Sequence, residues 1–369
     1  MNRKGFLRSF VPLTAGTILA QKAFSMPESI PPAAQIIFPP YLKPGDTVGI
    51  TCPADPVTES DIAQCKTVLN NWGLHVKWSP CMGKRWQRFG GTDEERAAGL
   101  QSLLDDNTVT AIMFGRGGYG VMRMMDKISW EAFSGHPKWL IGFSDITAFH
   151  CHIHSIYNIP TIHADMGTGF GGIEDESSES LKNILFGRIQ KYKTNPFKLN
   201  RPGMTTGKLV GGNLSLITAM QGSKSALKTE GKILLIEDVS EYKYTIDRMM
   251  MNLKRSGILS NLAGLIFGGF TATRTNNEDY YPMSMEELLY EKVKEYNYPV
   301  CFHFPAGHQK LNLALKLGTY YNFNVSNESV TLEETSSIPA EMREQLINNA
   351  IPPFPDTSSI AADSINFRK

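Results

Sequence analysis

"KWLIGFSDITAFHCHIH", residues 138–154, is the stretch from which the fold can be read. A short apolar run, Trp139-Leu140-Ile141, reaches Gly142-Phe143; Ser144-Asp145 then breaks in, and a segment of helical character follows. A buried strand that turns abruptly into a helix is the repeating unit of a parallel α/β sheet. Ser144 at that turn has two readings. Ser and Asp are good N-caps, because their side-chain oxygens accept the helix's unpaired N–H groups. Alternatively, the turn holds a nucleophile, with a small residue beside it to make room.

The same alternation extends in both directions. "DTVGIT" (46–51) is β-rich and stops at Cys52-Pro53. The following helix, "TESDIAQCKTVLNNWG", has Thr58 and Asp61 in capping-box spacing, an apolar stripe through Ile62, Cys65, Val68, Leu69 and Trp72, and Gly73 at its stop. "LHVKW" is a second strand, "TDEERAAGLQSLLDD" a second capped helix, "VTAIMFG" a third strand and "WLIGF" a fourth. Strands and helices then recur as "GKLVGGN", "LSLITAMQG", "KILLIE", "TIDRMMMNLKRSG", "LAGLIFGGF", "SMEELLYEKVKEYN" and "PVCFHF", before closing β-structure in "LALKLGTYYNFNV" and "ESVTLEE". The expected class is α/β: an N-terminal, mostly parallel sheet flanked by helices, and a C-terminal, partly β-rich α/β domain that can swivel. The expected boundaries are 41–165 and 205–335, joined by a less regular connection at 166–204. A Pro-rich leader (26–40) and a polar tail (336–369) flank them.

The chain has 369 residues, 41% of them hydrophobic, and a formal net charge of +1. That balance excludes nucleic acid as a main partner, which would need a concentrated basic surface. Beyond the N-terminus no apolar run approaches the roughly 18 residues of a membrane span, so stable membrane insertion is not expected. Residues 1–25 read as an export signal: Arg3, Lys4 and Arg8, then "SFVPLTAGTILA", then the small residues of "KAFS". The order Asn2-Arg3-Lys4-Gly5-Phe6-Leu7-Arg8 resembles a twin-arginine signal with Lys in place of the second Arg, which implies a periplasmic or exported protein. The five cysteines are widely spaced, with no C-x-x-C pair, so they form neither a disulfide framework nor a zinc signature.

Several motifs can carry chemistry. "GRGGYG" (115–120) satisfies the dinucleotide fingerprint at Gly115, Gly117 and Gly120, but it follows the third strand and lacks the acidic ribose partner. Its alternative use is to turn backbone N–H groups toward a reacting oxygen. In "FHCHIH" only His150 and His154 share a helix face, and His152 points about 160° away, so the three cannot close on one metal ion. "LLIED" ends a strand in Glu237-Asp238, whose side chains point to opposite faces, so at most one of them joins a given site. "FPAGHQKLN" puts His308 in a loop after a strand. A Ser nucleophile needs a His to take its proton, and that His needs a carboxylate to hold its tautomer. Ser144, Glu237 and His308 each stand at or just beyond a predicted strand end.

With these residues in view, the chain resembles the LD-carboxypeptidase family of serine peptidases, which includes the microcin-C immunity carboxypeptidases. "PGDTVGITCPA", "GRGGYG", "IGFSDIT", "GGNLSLI", "LLIEDVSEYKYTIDR" and "FPAGHQKLNLALKLG" carry the resemblance, across some 280 residues in one order. It implies a Ser144–Glu237–His308 triad, with the backbone N–H groups of Asp145 and Gly117 as an oxyanion hole. It also implies hydrolysis of an amide before a terminal D-amino acid, D-Ala of a murein tetrapeptide, with neither metal nor organic cofactor. Peptidoglycan stem peptides or muropeptides are the implied partners, Arg116 is a candidate anchor for the substrate carboxylate, and a homodimer stays open. The rival readings are the same triad on a microcin-type aminoacyl nucleotide, a muropeptide-binding protein in which Ser144 only caps its helix, and a nucleotide-dependent enzyme using "GRGGYG". Lys316, where many members have Pro, and "IHADMG", in place of the commoner H-G-P, depart from the family pattern.

Overall fold

The computed structural model describes residues 36–171, 175–271 and 282–335. The export signal, most of the Pro-rich leader and the polar tail read from the sequence lie outside the described residues.

The first sheet is built from β1 (Thr47–Thr51), β2 (His75–Trp78), β3 (Val109–Phe114), β4 (Trp139–Ile141) and β5 (Thr161–His163), all parallel, in the order β2-β1-β3-β4-β5. The helices between them are α1 (Ala63–Asn71), α2 (Asp93–Leu104), α3 (Val121–Met124), α4 (Glu131–Gly135) and α5 (Thr147–Ile156). Apart from the edge strand β2, the strands are near-continuously buried because helices cover both faces; β4 is buried at every position. The box expected at α2 forms: Glu95 N–H donates to Thr92 Oγ1 at 3.2 Å and Thr92 N–H to Glu95 Oε2 at 2.9 Å.

Helix α6 (Glu176–Leu185) and strand β6 (Lys191–Thr194) lie within the 166–204 stretch. The helix is hard to see in sequence because part of its buried face is serine. Ser177 Oγ and Ser180 Oγ accept the backbone N–H groups of Asn312 and Ala314, at 3.1 and 2.8 Å. Buried hydroxyls matched to the passing backbone before β11 leave apolar periodicity only in the second half of the helix, at Leu181, Ile184 and Leu185.

The second sheet begins with the long β7 (Gly203–Asn213), followed by α7 (Leu214–Ala219), β8 (Ile233–Val239), α8 (Lys243–Arg255), β9 (Gly264–Thr271), α9 (Met285–Val293) and β10 (Val300–Cys301). These four strands are parallel; β7 pairs β8 so that Asn213 stands opposite Glu237. Strand β11 (Leu315–Leu317) returns to the first sheet, antiparallel to β5. After one turn the chain re-enters the second sheet as β12 (Tyr320–Val325), antiparallel to β7, with β13 (Val330–Glu334) and β6 beyond it. The result is α/β with one mostly parallel sheet and a second, more β-rich one, as the sequence pattern implied.

The crossing at β11 places a charge in the core. Lys316 and Tyr41 are buried, and the Lys316 ammonium donates to Glu334 Oε1 at 2.6 Å and to Tyr41 Oη at 3.2 Å. Removing one partner of such a pair strands the other charge, whereas removing both is far milder. Lys316→Met should cost about 3–5 kcal/mol in urea unfolding, and Lys316→Met/Glu334→Leu should recover most of that loss. Equal losses in the single and double variants would contradict this account.

Candidate active site

Strand β4 ends at Ile141, and the chain turns through Gly142 and Phe143 into a 3-10 turn at Ser144–Ile146 that leads directly into α5. Ser144 has φ +62°, a left-handed conformation that costs a non-glycine residue on the order of 1–2 kcal/mol. Neither the 3-10 turn nor α5 has a side-chain cap. The Asp145 carboxylate turns away from its own helix and accepts the Val121 N–H at the start of α3, at 2.9 Å. Burial pushes that carboxyl up to about 6, against the pull of Val121 N–H and Arg96. The hydroxyl at the turn is therefore not serving as a cap.

The glycine loop lies against it. An alanine methyl at Gly117 would sit 3.2 Å from Ser144 Cβ and 3.3 Å from Ser144 Oγ, a tight contact that glycine avoids, so the loop backbone lies close beside the hydroxyl. The Gly117 carbonyl accepts from Asp55 N–H at 3.2 Å; its own N–H donates to no backbone carbonyl among the described residues. A side chain at Gly118 would collide with the Asp55 carboxylate. A carboxylate packed there is the wrong charge for a phosphate cradle, which argues against the dinucleotide reading. The buried Arg96 ties the loop down, donating to Gly120 O at 2.9 Å and to Pro53 O.

On the second sheet, β8 delivers Glu237, fully buried, to His308. His308 Nδ1 donates to Glu237 Oε2 at 2.6 Å, and the His308 backbone N–H meets the same oxygen at 3.2 Å. Gly307, at φ +90°, allows this approach; a Cβ there would stand 2.5 Å from Glu237 Cγ. Burial pulls the imidazole pKa down, but the Glu237 hydrogen bond and charge, with Asp238, outweigh it and the net shift is upward. With Nδ1 donating, the neutral ring carries its lone pair on Nε2. The ring packs 4.7 Å, centre to centre, from Phe143, the residue before Ser144. The neighbouring Asp238 faces the other way, accepting from Asn213 Nδ2 at 3.0 Å and from the N–H (3.0 Å) and hydroxyl (2.7 Å) of Ser215. Burial pushes its carboxyl up to about 6.

Ser144, His308, Gly117 and Arg116 line one cleft of about 390 Å³ at the carboxyl ends of the strands, together with Asp55 and Asp165. Glu237 lies behind His308. The three histidines of α5 disperse: His150 Nε2 pairs with Gly142 O (2.9 Å), His152 Nδ1 with Ser225 Oγ (2.7 Å) and His154 Nε2 with Thr161 Oγ1 (3.0 Å). All five cysteines are buried and free.

Sequence reasoning missed the residues that hold this site: Arg96, Asp55, Asp165 and Asn312. Asn312 is the hub of the His308 loop. Its Oδ1 accepts from Gly307 N–H at 2.7 Å and its Nδ2 donates to Asp165 Oδ1 at 2.7 Å. Burial pushes the Asp165 carboxyl up to about 6, with Asp175 adding to the rise and the Asn312 bond opposing it. The Asn of "GHQKLN" was the one signal that could have found this hub.

Residues 48–164 match the LD-carboxypeptidase N-terminal domain and residues 206–323 the LD-carboxypeptidase C-terminal domain. A probable murein peptide carboxypeptidase of Bacillus subtilis is 31% identical over 301 residues, 80% of this chain and 94% of that protein. The microcin C7 self-immunity protein MccF of Escherichia coli is 25% identical over 331 residues, 79% of this chain and 94% of its own. The crystal structure of muramoyltetrapeptide carboxypeptidase from Oxalobacter formigenes has the same fold, with a TM-score of 0.72 at 24% identity, covering 78% of this chain and 98% of that one. Ser144 falls in the first matched domain and Glu237 and His308 in the second, and the chain belongs to the LD-carboxypeptidase family of serine-type hydrolases.

Proposed function

We propose that the protein is an LD-carboxypeptidase that removes the terminal D-Ala of a murein tetrapeptide through an acyl-enzyme, acting on the periplasmic side after export. The observation that carries this is the His308–Glu237 bond of 2.6 Å at the wall of the cleft that Ser144 lines. His308 Nε2 takes the Ser144 proton as the oxygen attacks the carbonyl, and Glu237 holds the tautomer and stabilises the imidazolium. The backbone N–H groups of Gly117 and Asp145 receive the oxyanion. His308 then passes its proton to the leaving D-residue, whose carboxylate lies toward Arg116, and water releases the tripeptide. The similarity to murein peptide carboxypeptidases favours this substrate. The similarity to MccF makes an aminoacyl nucleotide amide the competing one.

Mass spectrometry of the purified protein with murein tetrapeptide should show loss of one alanine, absent in Ser144→Ala. Turnover of an aspartyl-nucleotide amide without alanine release would select the other substrate. Ser144→Gly should also be inactive, yet more stable than wild type by about 1 kcal/mol, because glycine relieves the left-handed strain. If Ser144→Gly unfolds at lower denaturant than wild type, the strain account is wrong.

The working form of His308 is neutral, and its pKa is raised above the ordinary 6.5. Activity therefore falls as pH drops through that raised value, and the acid limb of kcat/KM should lie above pH 6.5. Glu237→Gln removes the charge that holds the pKa up, so the limb should move to lower pH while kcat drops by about 10²–10⁴-fold. A limb that stays in place would dissociate Glu237 from His308.

Gly117→Ala tests the oxyanion side. Gly117 is not at positive φ, so the backbone tolerates alanine, but the methyl crowds Ser144 Oγ. kcat/KM should fall by at least about 10²-fold with the melting temperature little changed.

A further inference from the structure

The adjacent parallel strands β1 and β2 each run out into a cysteine: Cys52 directly follows β1, and Cys81 stands three residues beyond the end of β2. Both side chains are fully buried. Cys81 Sγ lies 3.4 Å from Cys52 N and 3.9 Å from Cys52 O, and the two thiols share a hydrogen bond. Three groups close on the Cys81 sulfur: the Cys52 N–H, the Ser79 hydroxyl at 3.0 Å and the Thr51 hydroxyl at 3.3 Å. Donors gathered round a sulfur favour its thiolate form. The Cys52 thiol, with help from Ser79 and Thr51, pulls the Cys81 pKa down against its burial, while the same bond and burial push Cys52 up. The pair therefore shares one proton, which resides on Cys52. Cys52 Sγ also stands 3.1 Å from Met82 Sδ, and Met82 is half-buried, so the surface is one side chain away. Burial pushes the thiols of Cys65, Cys151 and Cys301 up to about 12, which leaves Cys81 as the sulfur prepared for attack.

We propose that Cys52 and Cys81 form a redox-active pair, a modification site at which hydrogen peroxide closes an intramolecular disulfide. Burial selects the oxidant, since a peroxide can slip past Met82 where a bulky organic disulfide cannot. The Cys81 thiolate attacks one peroxide oxygen, the O–O bond breaks, and hydroxide leaves, giving a sulfenic acid. The Cys52 sulfur then attacks the Cys81 sulfur; the S–O bond breaks, and the Cys52 proton goes to the departing hydroxide as water. Two electrons pass from the two sulfurs to the peroxide, which ends as two waters. The pair is linked to the cleft by a short backbone path. Thr51 O, just before Cys52, accepts the Gly115 N–H at 2.8 Å, and the Asp55 N–H, three residues after it, donates to Gly117 O at 3.2 Å. Closing the bond draws the two sulfurs to about 2 Å apart. The start of this segment moves with them, and the glycine loop beside Ser144 loosens.

The test treats the reduced full chain with hydrogen peroxide, denatures it, and then counts and maps its thiols by alkylation and mass spectrometry. Wild type should lose two of its five thiols, regain both with dithiothreitol, and yield one cross-linked peptide pair, Cys52 with Cys81. Cys52→Ser should stop at a sulfenic acid on Cys81, trapped by dimedone, and Cys81→Ser should keep its remaining thiols through the same exposure. Hydrogen exchange of oxidised wild type should show lost protection over residues 115–120, restored on reduction. Retention of all five thiols by wild type overturns the assignment, as does oxidation that falls on Cys65, Cys151 or Cys301, or that begins at Cys52. Unchanged exchange over 115–120 overturns the link to the cleft. The wild-type measurements need no substitution and none of them needs turnover, so they decide this pair independently of the reaction proposed above.

Discussion

Thr147 Oγ1, one turn beyond Ser144, accepts the Asn213 backbone N–H at 3.0 Å, and this contact joins the helix that follows Ser144 on one sheet to a strand end of the other. It requires Gly212: at φ +133°, a Cβ there would lie 2.6 Å from Thr147 Oγ1. Asn213 then continues the connection through its side chain to Asp238, and through strand pairing to Glu237. A displacement of α5 against β7 would thus be felt at both Ser144 and the Glu237–His308 pair. Reactions that depend on aligned groups lose rate steeply with small misplacements, so one glycine and a threonine hydroxyl bear on the alignment of the whole cleft.

The same region holds conformations and charges that isolated chains avoid. Ser144 is left-handed, Glu237 Oε1 is buried with no hydrogen-bond partner among the described residues, and the carboxyls of Asp145, Asp165 and Asp238 are pushed up to about 6 by burial. Their persistence follows from how fully the surroundings determine them. Gly142 N–H donates to Ile162 O at 3.0 Å, and the Gly142 carbonyl pairs with His150 Nε2. Burial pulls the His150 pKa down to about 4, so the ring is neutral and acts as a fixed strut behind the turn. One residue of the histidine-rich helix thereby serves the site without touching it. Strain concentrated where the chemistry occurs, and braced from several directions, is the usual pattern for a preorganised site.

The alternation of strands and helices was legible because parallel strands covered on both faces are apolar throughout, while amphipathic helices carry caps that can be recognised. Ser144, Glu237 and His308 stood out as candidates for a related reason: each stands at the end of a predicted strand or in the loop after one, and ligands gather at those ends. Arg96, Asp55, Asp165 and Asn312 were not, because their partners are backbone groups or side chains far away in sequence. A buried arginine bonded to carbonyls 24 and 43 residues distant leaves no periodic mark. Helix α6 was obscured likewise, since its serines answer to the backbone at 312–314, just before β11, rather than to an apolar core.

The amino-acid order alone determined the α/β class, the capped helices, the family and the three dispersed groups, because each of these follows from local periodicity or from a short motif. Only the tertiary structure decided that Leu315–Leu317 returns to the first sheet while Tyr320–Val325 joins the second. Only it could set His308 against Phe143 and place Asp165 in the same cleft as Ser144 and His308. Those outcomes depend on contacts between segments more than a hundred residues apart, whose energies are fixed by the packing of the whole core and not by any one stretch of chain.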